Sequence, residues 1–169
     1  SKAVNINNSK SAFSQVVSPG DFIYPDGNFG PASYGTATGQ TASAIIFSNE
    51  TSAKDKAAGY TKGYALALTN NTAGNGCVWS NAQTDISNLT NNNTLSLWEN
   101  DLDGRTETAT LKDLGGTSFQ TVYPAAYYAV NYSAPVPTGA SGWYLPSSGQ
   151  WYQIITNLGG ISTSTVPTN

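Results

Sequence analysis

Residues 142–160 read GWYLPSSGQWYQIITNLGG. Ser147 and Gln150 have the Ser-x-x-Gln spacing of a capping box, in which the hydroxyl serves a free amide of the first helical turn and the glutamine reaches back to the cap. Pro146 is tolerated before it because no ladder amide is needed there. Trp151, Ile154, Ile155 and Leu158 fall at i, i+3, i+4 and i+7, one face of a helix. Gly159 follows, where chains commonly leave a helix. The spacing predicts a helix over 147–158 with Trp151, Ile154 and Leu158 buried. Residues 143–145, short and aromatic between Gly142 and Pro146, predict a brief strand leading into it.

The rest of the chain must supply what that helix covers. A length of 169 residues predicts one domain with room for a core. Charged residues are 10% of the sequence, against roughly 25% in ordinary domains, so surface polarity comes from Ser, Thr, Asn and Gln. The net charge of −3 and isoelectric point near 4.6, with no Lys/Arg cluster, argue against a nucleic-acid partner. No apolar run is long enough to span a bilayer. With no Met and no signal peptide, the sequence reads as a mature or excised segment. His is absent, which removes imidazole metal ligands and the common catalytic triads. Cys77 stands alone in an apolar setting and reads as a small buried hydrophobe.

Residues 1–20 read as an N-terminal extension, partly stranded, and 21–169 as the domain. Strands are predicted at 21–24, 44–48 and 63–69, the last by its period of two, with a strand end at 77–80. Residues 25–28 (PDGN) form a turn by composition, and 29–40 read as loop. The charged segment 49–62 reads as a solvated loop or single helical turn. Helices are expected over 106–114 and 124–132, the second with Pro at its first turn. Asn- and Thr-rich loops run through 70–76, 81–94 and 133–141.

The pieces GDFIYPDGNFG, AIIFS, GYALALTN, CVWS, DLDGRTETATL, YPAAYYAVNY and GWYLPSSGQWYQIITNLGG together resemble fimbrillin-like and C-type-lectin-like surface domains of gut-type bacteria. The "GW-LPS-G-W" helix start is the most specific, and is similar to runs in the C-terminal domain of collagen-like bacterial adhesins and in formylglycine-generating enzymes. The resemblance covers roughly 20–160. It implies an α+β, C-type-lectin-like fold, two helices on a mainly antiparallel twisted sheet, in an extracellular or lipid-anchored lipoprotein of the outer surface. In that fold several strands follow the second helix. Only about ten residues follow it here, so the sequence predicts a fragment, a strand exchanged with another subunit, or an altered topology, and in the first two cases an open sheet edge beside the helix.

The function expected is a non-enzymatic surface module for adhesion or ligand binding, such as a fimbrial subunit or tip, with a glycan or a host or bacterial surface protein as partner. The alternatives are a structural spacer and a relative of the formylglycine-generating enzymes, whose thiol chemistry a single cysteine does not support. Exposed rings and amides suit recognition, which singles out Tyr144, Tyr152, Asn92 and Asn93. Asp101 and Asp103, with Glu99 and Glu107 beside them, have the acidic density of a calcium loop. No EF-hand frame is completed there, and the competing reading is a turn whose carboxylates cap the next helix. Asp21 and Asp26 form a carboxylate pair that turn chemistry explains without catalysis.

Overall fold

A computed structural model describes residues 1–6, 16–69, 76–82, 85–89, 91 and 93–159. Five strands, β1 (Ala3–Ile6), β2 (Phe22–Ile23), β3 (Phe29–Gly30), β4 (Ala44–Ser48) and β5 (Gly63–Ala67), form one sheet in the order β1-β5-β4-β2-β3. Every pairing is antiparallel. The segment read as an extension therefore supplies an edge strand, with Ala3 opposite Leu66 and Ile6 opposite Gly63. Its four residues AVNI are all buried, because residues 141–144 cover the outer side of the strand. Ala3 and Tyr144 exchange backbone hydrogen bonds of 3.1 Å in both directions, and Ser141 brackets Asn5 through its amide (3.1 Å) and its hydroxyl (2.9 Å). The strand expected at 143–145 is this single bridge.

The period of two places side chains on alternate faces, and both faces are packed. Val4, Ile6, Ala44, Ile46, Ala65 and Trp143 belong to one core, while Ala3, Phe47, Tyr64, Tyr144 and Ile154 belong to the other. Neighbours Trp143 and Tyr144 thus enter opposite layers. Helix α7 (Ser148–Leu158) lies against β4. Ile154 is buried on it, whereas Trp151 and Leu158 are only half-buried, a correction to the expected fully buried stripe. A third core, around Leu111, Phe119, Tyr123 and Ala126, joins α4 (Gly104–Gly115), α5 (Phe119–Val122) and α6 (Pro124–Val130).

Helices stand beyond the two that the resemblance implies and the three read at 106–114, 124–132 and 147–158. Helix α1 (Ala32–Thr38) stands in the segment read as loop, α2 (Ala53–Ala57) is the single turn foreseen in the charged segment, and α3 (Leu95–Asn100) stands where only a short apolar run was noted. Residues 76–79 join neither sheet nor helix, so Cys77 is free and exposed rather than buried. The predicted open edge is not found among the described residues. The β1 edge is closed by 141–144, and the other edge strand, β3, has two residues. Residues 160–169, on which that expectation also drew, lie outside the described residues. Among the described residues no helix is long and apolar enough to cross a membrane.

Candidate functional site

The two stretches that drew the sequence reading, DLDG and LPSSGQ, interlock. The carbonyl of Asp101 accepts from the Ser147 hydroxyl (2.6 Å) and from the Gly149 amide (2.9 Å). Gln150 accepts from the Ser147 amide (3.1 Å), completing the capping box, and donates to the carbonyl of Leu102 (3.1 Å). The approach is close enough to require glycine on both sides. A Cβ on Gly149 would lie 2.4 Å from the Asp101 carbonyl oxygen, and one on Gly104 would lie 2.6 Å from the Ser147 amide nitrogen. Two helix starts are seated against each other by backbone contact, and the acidic turn is the seat.

That packing sets the surroundings of Asp101 and Asp103, the candidate cation ligands. Asp101 is 7% exposed, and its Oδ1 accepts the Asp103 amide at 3.2 Å. Asp103 stands at the N-cap of α4 without a side-chain cap bond and instead pairs with Lys54 at 2.7 Å. No group of three or more His, Cys, Asp or Glu side chains able to hold a metal is present among the described residues. Packing, an Asx bond and one ion pair hold the turn in this arrangement.

Tyr144 is corrected as a ligand residue. It is 2% exposed, and its hydroxyl donates to Asn5 Oδ1 (2.8 Å) and accepts from Gln150 Nε2 (3.0 Å). A ring enclosed between β1 and α7 offers no face to a partner. Tyr152 is half-buried on α7, edge-on to Trp98 at 5.6 Å, and lines a polar hollow of about 480 Å³ with Glu50, Glu99 and Gln153. Asn93 is exposed just before Thr94, the N-cap of α3. Asn92 lies outside the described residues. Tyr144, Tyr152 and Asn93 therefore do not form one site. Asp26 belongs to a turn, as its composition suggested. It accepts from the amide (2.9 Å) and side chain (2.9 Å) of Asn28, from Gln40 (2.8 Å) and from Tyr34 (3.2 Å).

Another cleft lies elsewhere. About 340 Å³ opens between Trp79, Asp85, Ile86, Leu89 and Asn91 on one hand and helix α4 and residues 145–148 on the other. Ile86, Leu89 and Leu111 give it apolar lining, and Asp85, Asn91, Asp101 and Glu107 polar lining. At the mouth stands Trp79, 50% exposed and held edge-on by Tyr123 at 6.4 Å. The hydroxyls in the lining donate into the fold. Thr108 Oγ1 donates to the Leu145 carbonyl (3.3 Å) while accepting its amide (3.0 Å), Ser147 donates to Asp101, and Ser148 donates to the Trp98 carbonyl (2.9 Å). The remaining polar character is chiefly that of carboxylates, which accept. Sequence reasoning singled out the loop 81–94, which supplies Asp85, Ile86, Leu89 and Asn91, but it missed Trp79 by reading it as the end of a strand. A tryptophan between a Gly/Asn-rich turn and an Asn-rich loop was the available signal. No family model, curated protein or solved structure matches the chain.

Proposed function

We propose that this chain is a non-enzymatic binding module of a bacterial outer-surface lipoprotein, serving adhesion, with a C-type-lectin-like fold and its ligand held in the Trp79 cleft. The observation that carries the reading is Trp79 itself. A half-exposed indole, braced by Tyr123 and lining a cleft with apolar and carboxylate side chains, suits the way proteins grip a partner through a few rigid aromatic anchors. The antiparallel sheet with helices packed against it suits the lectin-like topology, and irregular segments on that scaffold supply the cleft, as recognition surfaces commonly do. The non-catalytic reading draws support from the hydroxyls of Thr108, Ser147 and Ser148, each engaged by backbone rather than by a base, and from the lack of His. The low charged fraction and the Asn/Thr-rich loops fit a surface exposed to many partners.

The test is a glycan array run beside immobilised host-matrix and bacterial surface proteins, with wild type and Trp79→Ala compared. A hit weakened by at least about tenfold on loss of the indole is expected, as for an interface anchor. A blank panel with the folded chain favours the spacer reading, and hydrolysis of any bound glycan overturns the non-enzymatic one.

A further inference from the structure

We propose that the polar hollow beside α7 is a second binding site, separate from the Trp79 cleft, and that it takes a neutral sugar residue. Three parts of the chain meet around its space of about 480 Å³. The segment just after β4 supplies Asn49 and Glu50, the end of α3 supplies Glu99 and Asn100, and α7 supplies Tyr152 and Gln153. Much of this lining is fixed before a ligand arrives. Gln153 donates to Glu50 at 2.9 Å, Asn100 to the Ser96 carbonyl at 2.7 Å, and Asn157, which also lines the hollow, to the Phe47 carbonyl at 2.8 Å. A planar amide already held through its nitrogen gives up little freedom on binding. The Tyr152 ring is steadied in the same way, edge-on to Trp98 at 5.6 Å.

Hydrogen-bond chemistry and charge narrow the class. The lining mixes acceptors with donors. Glu50, Glu99 and the oxygens of Asn100 and Asn157 accept. Ser48, also in the lining and 2% exposed, accepts the Glu50 amide at 3.0 Å, and its hydroxyl donates to no described residue. Exposed Asn49 and the Tyr152 hydroxyl add further donors. A bare cation would leave those donors unanswered. An anion would meet two carboxylates, with no Lys or Arg among the described lining residues. A neutral polyol answers both kinds of group, because each of its hydroxyls donates and accepts at one atom. Apolar lining is little more than Pro19 and the Tyr152 ring, enough for the C–H face of one sugar and too little for an apolar ligand.

The test is saturation-transfer NMR on the folded chain with glucose, galactose, mannose and N-acetylglucosamine, and with glucuronate as the charged counterpart of glucose. At least one neutral sugar is expected to bind, and glucuronate is not. Asn49→Ala, an exposed change, and Tyr152→Ala should each weaken the bound sugar by several-fold, as the loss of a hydrogen bond or a ring contact does. Circular dichroism confirms each variant's fold. A blank with all four neutral sugars, or an equal response to glucuronate, overturns the proposal and leaves the Trp79 cleft untouched. Binding that survives both substitutions overturns it as well. If that binding is then lost with Trp79→Ala, the sugar belongs to the Trp79 cleft and the reading of that cleft stands.

Discussion

At the residue scale, the chain's most enclosed chemistry is structural. Asp55 has a side chain 1% exposed and is paired with Arg105 Nε at 2.6 Å. Its other oxygen accepts from the Tyr64 hydroxyl at 3.0 Å, which in turn accepts the Ser52 amide at 2.7 Å. Removing one member of a buried pair leaves the other charge uncompensated, so Arg105→Ala should cost about 3–5 kcal/mol, read by urea denaturation. A loss under about 1 kcal/mol would mean that water reaches Asp55. The neighbouring phenols set the alkaline limit. Burial raises the Tyr64 pKa and, above all through the same cause, that of Tyr144. The unfolded chain releases these protons near pH 10 while the folded chain keeps them. Their contribution is therefore intact below pH 10 and falls above it, by about 1.4 kcal/mol per pH unit for each tyrosine. Lys2 acts in the opposite sense. Desolvation lowers its pKa below 10.5, so the fold gains as the pH rises toward that value and nothing beyond it. Of the ten tyrosines, two should ionise only when the chain unfolds, visible as a cooperative jump in tyrosinate absorbance. Smooth titration of all ten while folded would overturn the assignment.

At the element scale, the end of α3 packs against the start of α7 in a seam of backbone contact. Gly149→Ala would drive a methyl toward the Asp101 carbonyl, 2.4 Å away, and toward that of Glu99 at 2.6 Å. Backbone cannot swing aside as a flexible side chain does, so the expected cost is about 1–3 kcal/mol, although alanine is the better helix former. Measured stabilisation would show that the seam relaxes. The same seam shows what could be read in advance. Helix α7 was legible because cap, apolar period and terminal glycine agreed locally. Strands β4 and β5 were legible as an apolar run and as strict alternation. Helix α1, Ala-Ser-Tyr-Gly-Thr-Ala-Thr, has no apolar face and ends on Gly39 in the left-handed region. It forms in its setting, against β3, and its composition could not announce it. Nothing in the sequence shows that Lys54 will meet Asp103 or that the start of α7 will meet Asp101.

At the scale of the whole molecule, the fold closes its first strand onto a late segment. The Asn5 amide bonds Ser141 across 136 residues, and Tyr144 reaches Asn5 across 139. The cleft likewise brings Trp79, Leu111 and Leu145 together, a juxtaposition that no local pattern encodes, which is why Trp79 escaped the sequence reading while α7 did not. Such long-range closure makes β1 both a late arrival and indispensable. Loop-closure entropy must be met before its contacts form, which slows folding. Removing residues 1–6 would strip Val4 and Ile6 from one core and Ala3 from the other, and deprive the Tyr144 hydroxyl of its acceptor. It would also expose the backbone edge of β5, a template for pairing between chains. Each large-to-small loss of a core aliphatic costs about 2–5 kcal/mol, against a total stability of about 5–15 kcal/mol. The truncated chain should therefore show no cooperative thermal transition by calorimetry and should self-associate in sedimentation velocity. A monomeric truncated chain with a cooperative transition near that of the whole would mean that β1 decorates the sheet rather than completing it.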